Sequence, residues 1–263
     1  MIVAVLQARA TSTRLPGKVL RGILGEPMLQ RQLARVRRAS CLQGVVVATS
    51  DDASDDEVAA LAARCGVACH RGALDDVLAR CHGAAAQAGA EHVVRLTGDC
   101  PLVDPAIVDR VVAAHLESGA DYTSNTLRRT FPDGLDVEVV RASVLAEAVA
   151  EATLPSEREH VTPFVYHRPE RYRLCSVEHR EPLGQLRWTV DTAEDLEVVT
   201  AVFAHFLPLR PDFAMDDVLQ LWRERPGLFA ANATVDPTAG WRRSLQRDAA
   251  HAPGRPNAEE RRD

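Results

Sequence analysis

The first 118 residues alternate short apolar runs with longer helical stretches, and this alternation limits the possible folds more than any other feature. Apolar runs of strand length cover residues 2–6, 44–49, 67–70 and 92–96, and helical patterns cover residues 28–39, 54–64, 75–88 and 105–118. Strands that alternate with helices of these lengths are typical of βαβ units, whose strands lie parallel. A run as continuously apolar as residues 45–48 suits a sheet that is covered on both faces. The sequence therefore predicts an α/β fold with a mostly parallel sheet.

The pattern changes after residue 120, where irregular polar loops separate the predicted elements. Strands are predicted at residues 136–140 and 172–178, and helices at residues 143–152 and 157–167. We interpret residues 121–181 as an inserted cap subdomain. Residues 187–190 are predicted to return to the sheet, with helices following at 193–205 and 215–225. Periodicity is lost after Gly227, so we expect one domain over residues 1–227 and a largely disordered tail over residues 228–263.

Charge and apolar content narrow the classes of function. The chain has 31 Lys and Arg against 37 Asp and Glu, a formal net charge of -6, which disfavours bulk attraction to nucleic acid or to an anionic membrane. No stretch approaches the roughly 20 apolar residues of a membrane span, and the opening apolar run is too short for a signal peptide. The six cysteines contain no CxxC pair. We therefore expect a cytoplasmic protein that binds neither nucleic acid nor membranes.

A loop rich in cations and hydroxyl groups follows the first predicted strand. Residues 7–18 read QARATSTRLPGK and contain Arg9, Arg14 and Lys18 together with three hydroxyl side chains. The carboxyl ends of parallel strands open onto the ligand crevice of such a sheet, and turn amides, hydroxyls and cations all donate to phosphate oxygens. The loop is not a GxxxxGK[ST] motif, because its glycine spacing differs. It predicts a triphosphate site, and the alternative is a solvated basic loop.

Two aspartates follow two other predicted strands. Asp99 lies in the segment Thr97-Gly98-Asp99, which directly follows the strand at 92–96, and Asp191 comes directly after residues 187–190. A carboxylate at such a position can hold a magnesium ion against a phosphate. The alternatives are a turn-forming role for Asp99 and a helix-capping role for Asp191. We predict that both bind Mg²⁺, because they share a sheet edge with three cations.

Three motifs together resemble the cytidylyltransferase family, which includes the CMP-sialate and CMP-Kdo synthetases. They are the loop at residues 7–18, the segment Gly98-Asp99-Cys100-Pro101-Leu102, and residues 190–196. Residues 124–126, 132–138 and 158–163 are similar to stretches of one branch of that family, the spore-coat polysaccharide biosynthesis proteins of the SpsF type. The resemblance covers about residues 1–205.

The resemblance implies a three-layer αβα nucleotidyltransferase fold of Rossmann-like type, a reaction that depends on CTP and Mg²⁺, and often a homodimer formed through about residues 125–175. It also implies a triphosphate role for the loop cations and Ser12, with Asp99 and Asp191 at the metal. One departure is Thr11, where many relatives have glycine. Threonine would be costly there if the backbone needed a positive φ.

These considerations give a full set of candidate site residues. The catalytic candidates are Arg14, Lys18 and Asp99, and the metal ligands are Asp99 and Asp191. The nucleotide-binding candidates are Gln7 (at the base), Ala8, Arg9, Ser12, Thr13, Arg14, Lys18, Arg71, Thr97 and Gly98. The candidates for acceptor binding are Asn125, Asp133, Asp136, Glu138, Arg158 and His160. Some of these residues have simpler interpretations: Arg71 as a loop arginine, Asp133 as a turn residue, Glu138 as an outward strand residue and Arg158 as a helix-surface residue.

The predicted function is transfer of CMP from CTP to a sugar acid or a phosphorylated or phosphonate acceptor, with release of pyrophosphate, in surface polysaccharide or related biosynthesis. A nucleotide-sugar-dependent glycosyltransferase is an alternative, although the segment at Asp99 lacks the DxD pair usual in those enzymes. A catalytically silent nucleotide-binding protein is a second alternative.

Overall fold

A seven-stranded sheet forms the centre of the protein. The computed structural model describes residues 1–236 and 238–251. The strands are β1 (Ile2–Gln7), β2 (Gly22–Ile23), β3 (Glu26–Pro27), β4 (Gly44–Ser50), β5 (Ala68–Gly72), β6 (His92–Thr97), β7 (Tyr122–Ser124), β8 (Glu138–Arg141) and β9 (Leu174–Ser176). The large sheet has the order β5-β4-β1-β6-β8-β7-β9, and β2 pairs with β3 in a separate two-stranded sheet. Only β8 runs antiparallel to its neighbours in the large sheet, so the mostly parallel α/β fold is confirmed.

Helices cover both faces of the large sheet. They are α1 (Met28–Val36), α2 (Asp56–Arg64), α3 (Val77–Gln87), α4 (Pro105–Ser118), α5 (Ala142–Glu151), α6 (Pro155–His160), α7 (Pro163–Tyr166), α8 (Ala193–Phe206), α9 (Met215–Glu224) and α10 (Ala239–His251). Short 3-10 helices lie at Lys18–Leu20, Ala53–Asp55 and Pro226–Phe229. Within the described ranges, no helix is both long and apolar enough to cross a membrane.

The alternation of side chains along β1 divides the core in two. Val3 and Val5 pack with α3, α5 and α7, whereas Ala4 and Leu6 pack with α1, α2, α4, α8 and α9. All four side chains are fully buried. Burial on both faces accounts for the continuous apolar character of these strands, since successive residues point to opposite sides of a sheet. The result is a three-layer αβα architecture.

The strand register aligns the ends of the central strands. Gln7 at the end of β1 lies beside Ala48 of β4 and Thr97 of β6. Strand β8 is antiparallel, so its first residue, Glu138, lies near the same edge and pairs with Arg95. One edge of the sheet therefore collects the loops that carry most of the candidate site residues.

Residues 121–181 do not form a separate cap. Strands β7, β8 and β9 all come from this segment and extend the central sheet, while α5 and α7 share a core with α3. The predicted helix over residues 157–167 is two helices, because Val161 has a φ of 73° and Pro163 begins a new one. Proline cannot donate the hydrogen bond that a continuous helix needs.

The prediction of a strand at residues 187–190 is wrong. This segment makes one isolated bridge, from Arg187 to Asp133, and its backbone N–H groups bind loops: Trp188 N donates to Asp133 O and Val190 N donates to Asp99 O. An added Cβ at Gly134 would lie 2.5 Å from Thr189 N, so glycine permits the close approach of these two segments. The segment packs against loops at the edge of the sheet and not along a strand.

The expectation of a largely disordered tail is wrong for residues 239–251, which form α10. Residues 252–263 lie outside the described residues. Trp241, Ser244 and Asp248 lie on one side of α10 and contact residues of α6. Two of these three contacts are polar, and a search for apolar periodicity therefore does not detect the helix.

Candidate functional site

Two adjoining cavities open at the sheet edge where β1 and β6 end. The loop cavity is lined by residues of the 7–18 loop, the 97–99 segment and α10, and the side cavity by residues from β8, α6 and the segment after β7. Arg95, Thr97 and His160 border both. Nine of the ten nucleotide-binding candidates line the loop cavity together with both aspartates: Gln7, Ala8, Arg9, Ser12, Thr13, Arg14, Lys18, Thr97, Gly98, Asp99 and Asp191.

The loop that follows β1, residues 8–18, is called the phosphate loop after its predicted role, and hydrogen bonds hold it in place. Ala10 N donates to the carboxylate of Asp55 at 2.6 Å, and Ala10 O accepts from Ser12 N and Gly17 N at 2.9 and 2.8 Å. Asp55 is fully buried. The left-handed backbone position of this loop is Gly17, with a φ of 67°, whereas Thr11 does not have a positive φ. Thr11 is therefore not strained in this loop.

Lys18 joins the two candidate metal ligands. Its Nζ lies 3.0 Å from Asp99 Oδ2 and 2.9 Å from Asp191 Oδ1, and it donates to Val190 O at 2.9 Å. Burial acts to lower the pKa of Lys18, but attraction to both carboxylates outweighs it and raises that pKa. Burial likewise acts to raise the pKa of Asp99, while Lys18 and a hydrogen bond from Thr97 hold it far below its usual range. Lys18 and Asp99 are therefore both charged at neutral pH.

Asp191 is positioned by Arg187, a residue that was not predicted to contribute. The Arg187 guanidinium contacts Asp133, Asp191 and Asp195 at 3.1, 3.0 and 2.8 Å. Asp195 is fully buried and forms a capping box with Thr192 at the start of α8. Arg187 thus links Asp191 to the helix terminus, which explains how an irregular segment can hold a carboxylate in place.

The two carboxylates suit a divalent cation that also binds phosphate. Their oxygens converge on one point although they come from segments about 90 residues apart in the sequence. Over residues 1–236 and 238–251, no group of three or more His, Cys, Asp or Glu could hold a metal ion. Mg²⁺ is commonly bound by one or two carboxylates, with substrate phosphates and water as its other ligands. Asp99 and Asp191 therefore fit Mg²⁺ as a pair, with the remaining ligands supplied by phosphate and water.

A buried polar network connects the two cavities. Arg95 Nε donates to Gln7 Oε1 at 3.0 Å, and Arg95 also pairs with Glu138. The other oxygen of Glu138 accepts from the hydroxyls of Tyr122 and Thr162 at 2.6 and 2.5 Å. Because the oxygen of Gln7 is bound to Arg95, the amide nitrogen is the group left to face a ligand.

The family model described as cytidylyltransferase matches residues 3–204. The chain belongs to the cytidylyltransferase family. It is 34% identical to the spore coat polysaccharide biosynthesis protein SpsF of Bacillus subtilis (strain 168), over 86% of this chain and 95% of that protein. It is 33% identical to a 3-deoxy-manno-octulosonate cytidylyltransferase of Geotalea daltonii, over 85% and 99% of the two chains.

A solved structure of a cytidylyltransferase from Leptospira borgpetersenii has the same architecture. It is 31% identical, has a TM-score of 0.83, and the match covers 87% of this chain and 96% of that one. These similarities extend over nearly the whole of each related chain. This cytidylyltransferase is accordingly a CTP-dependent nucleotidyltransferase.

Four predicted ligands lie outside both cavities. Asn125 is buried and holds a turn, since its amide donates to Leu135 O and its oxygen accepts from Val137 N, each at 2.8 Å. Arg158 holds α6 against α5 and α3 by donating to the carbonyls of Ala152 and Val149 and to the carboxylate of Asp76. In both residues the structural contacts occupy the groups that a ligand would need.

The other two are Arg71 and Asp133. Arg71 lies in β5 and not in a loop, and it pairs with Asp56 at 2.7 Å and donates to the carbonyls of Ser50 and Asp52. Asp133 pairs with Arg187, and both residues line a third cavity, separate from the other two. Burial and the nearby charge of Asp136 raise the pKa of Asp133 to about 6.

The remaining acceptor candidates, Asp136, Glu138 and His160, border the side cavity. Several residues that were not predicted from the sequence line the cavities with them, namely Arg80, Glu159 and Arg243 in the loop cavity, Thr126, Leu127, Arg129, Tyr166 and Trp241 in the side cavity, and Arg95 in both. Arg95 had a usable signal, because an arginine inside the otherwise apolar strand HVVRLT indicates a buried partner. The others have no distinguishing pattern around them in the sequence.

Proposed function

We propose that this cytidylyltransferase transfers CMP from CTP to a sugar acid or a phosphorylated or phosphonate acceptor, with Mg²⁺ as its cofactor, in surface polysaccharide or related biosynthesis. The observation that carries the proposal is the meeting of Asp99, Asp191, Arg14 and Lys18 at the end of β1. Arg14 Nη2 lies 2.9 Å from Asp191 Oδ1, the same oxygen that Lys18 contacts. Two carboxylates interleaved with two cations suit a metal–triphosphate complex better than a lone anion or a lone metal.

The reaction joins an acceptor oxygen to the α-phosphorus of CTP and breaks the bond between that phosphorus and the pyrophosphate oxygen. Arg9, Arg14 and Lys18 would bind the β- and γ-phosphates and stabilise the charge on departing pyrophosphate. Asp99 and Asp191 would hold Mg²⁺, which supplies charge neutralisation at the reacting phosphate when bound. An acceptor that is already an anion needs no base, and an acceptor hydroxyl gives its proton to solvent or to a nearby side chain.

We assign recognition of the cytosine ring to Gln7 and binding of the acceptor to the side cavity. Arg95 holds Gln7 Oε1, which directs the Gln7 amide group as a donor toward the ring acceptors of a cytosine. The side cavity adjoins the loop cavity at Arg95, Thr97 and His160. It also contains Arg129 and Asp136, paired at 2.8 Å, and the Tyr166 ring. Paired charges and an aromatic wall are suited to hydroxyl-rich ligands, because they offer both donors and acceptors.

The acceptor class is supported by the relatives, two of which are named for polysaccharide biosynthesis and for 3-deoxy-manno-octulosonate. We further propose a cytoplasmic location and a homodimer through about residues 125–175, as the family resemblance implies. Sedimentation velocity tests the dimer directly, since it should give twice the mass of one chain at micromolar concentration.

The function is tested by measuring pyrophosphate release from CTP and Mg²⁺ with a panel of 2-keto-3-deoxy sugar acids, sugar phosphates and phosphonates. We expect release with CTP and at least one acceptor, and far less with UTP, ATP or GTP. Omission of Mg²⁺ should abolish the signal. Release of free sugar from a nucleotide-sugar, without any pyrophosphate from CTP, would contradict the proposal in favour of glycosyl transfer.

A further inference from the structure

Helix α10 brings side chains to both cavities. Arg243 lines the loop cavity and Trp241 lines the side cavity. Both residues lie well beyond residue 204, where the match to the family model ends. This helix is therefore an element of the site that the family match does not include.

Polar contacts with α6 fix the position of α10. Ser244 is buried, its Oγ lies 2.8 Å from His160 Nε2, and it donates to Glu159 at 2.8 Å. Asp248 accepts from Ser156 N at 2.8 Å. The Trp241 ring also packs edge-on against His160, with 5.1 Å between ring centroids. These contacts at successive turns fix the rotation of α10 about its axis, and with it the direction in which the Arg243 side chain leaves the helix.

The loop cavity carries an excess of positive charge to which Arg243 contributes. Among the residues that the structure describes, three carboxylates line it, from Asp99, Glu159 and Asp191. Six cationic side chains of the same described residues line it, from Arg9, Arg14, Lys18, Arg80, Arg95 and Arg243. The chain as a whole has a net charge of -6, so this local excess of three positive charges runs against the overall balance. A cavity of this charge is suited to a polyanion.

Arg243 reaches the phosphate loop itself. Its Nη1 donates to Thr13 Oγ1 at 3.3 Å, across 230 residues of sequence. The guanidinium group thus lies beside the hydroxyls and cations that face the triphosphate in the proposed function. Arginine presents its donors in a planar fork that matches phosphate oxygens, so a guanidinium at this position is suited to bind a phosphate.

We propose that Arg243 is a triphosphate-binding residue and that α10 forms one wall of the active site. The inference rests on the proposed function, because it places the β- and γ-phosphates of CTP in the loop cavity. It adds a binding residue from a segment that contributes no motif to the family resemblance.

The test compares Arg243→Gln with Arg242→Gln in the full chain, by calorimetric titration with CTP and with CMP. Glutamine keeps an amide donor for Thr13 but removes the charge. Arg242 is the matched control, because it lies on the same helix, is two-thirds exposed and pairs with Asp236 at 3.0 Å. Arg243→Gln should weaken CTP binding on the order of tenfold and CMP binding by less than about twofold, since CMP lacks the β- and γ-phosphates. Arg242→Gln should change neither.

Two results would overturn the inference. One is CTP binding by Arg243→Gln with the affinity of the parent protein, and the other is an equal loss for CTP and CMP, which would mean that Arg243 acts on the fold of the site and not on the outer phosphates. Because Arg243 is exposed, the thermal unfolding midpoint should be the same in both variants. Failure of the parent protein to bind CTP would contradict the proposed function as well, and so differs from failure of this inference alone.

Discussion

Lys18 places its ammonium group between the carboxylates of Asp99 and Asp191, so the three side chains form one charge cluster. The cluster is only partly exposed, with 11% of the Lys18 side chain and 27% of the Asp99 side chain accessible. Lys18 and Arg14 together balance the charge of the two carboxylates and thereby allow two acidic groups to lie close together at low solvent exposure. Mg²⁺ held by the same carboxylates would compete with Lys18 for them and free its charge for phosphate.

Asp99→Asn should lower turnover at least about 100-fold while leaving the fold intact, because asparagine keeps the shape but is a much weaker ligand for Mg²⁺. The backbone bond from Val190 N to Asp99 O does not depend on the side chain. Steady-state pyrophosphate release and circular dichroism measure the two effects. The exposed Asp75 offers a matched Asp→Asn control, which should retain full activity. Full activity in Asp99→Asn would remove Asp99 from the metal site.

Thr11→Gly should leave CTP affinity within about twofold of the parent protein, because Thr11 is exposed and its φ is not positive. Glycine should instead lower the free energy of unfolding by about 0.5–1 kcal/mol, through greater freedom of the unfolded chain. Calorimetric titration and chemical denaturation give the two quantities. A tenfold gain in affinity would show that threonine impairs the loop.

At the scale of elements, a pair of histidines joins α4 to the sheet. His115 of α4 is buried, with its Nε2 3.0 Å from His92 Nδ1 of β6 and its Nδ1 3.0 Å from Thr123 Oγ1 of β7. Burial, followed by the charges of His92 and Arg141, lowers the pKa of His115 to about 4. Partial burial lowers the pKa of His92 as well. The folded protein therefore keeps His115 neutral where an unfolded chain would protonate it.

This histidine should make stability depend on pH in a defined window. The unfolded chain binds a proton at His115 below about pH 6.5 and the folded protein does so only near pH 4, so stability is present above 6.5 and is lost as pH falls between these values. The loss from this group is as much as about 3 kcal/mol. Urea unfolding from pH 7 to pH 4.5 measures the slope. His115→Gln should flatten it, whereas substitution of the exposed His205 should not; an unchanged slope in His115→Gln would contradict the assignment.

The elements that sequence patterns could predict are those with a buried apolar face. Helix α4 was expected over residues 105–118 and occupies Pro105–Ser118, because Asp104 caps it and Gly119 ends it in a left-handed conformation. The segment with Arg187 could not be predicted in the same way. Its position depends on ion pairs with Asp133, 54 residues away, and on a glycine that admits its backbone. Such contacts leave no periodic pattern.

At the scale of the whole molecule, the triphosphate part of the site could be predicted from apolar strand patterns, whereas the acceptor part could not. The phosphate loop and Asp99 follow apolar strands, so parallel pairing alone brings them to one edge of the sheet. The acceptor side depends on polar residues in irregular segments, and there the composition does not reveal which groups face a ligand. Asn125 and Arg158 make structural bonds, whereas Arg129 and Trp241 border the side cavity.

The position of CTP and Mg²⁺ in a crystal of this protein tests the central claim most directly. We predict electron density for the triphosphate against Arg9, Arg14 and Lys18, and an octahedral ion that shares its ligands between the phosphates and the carboxylates of Asp99 and Asp191. The cytosine ring of CTP should lie beside Gln7. Density for CTP outside the loop cavity, or a metal ion on the phosphates without either aspartate, would contradict the account.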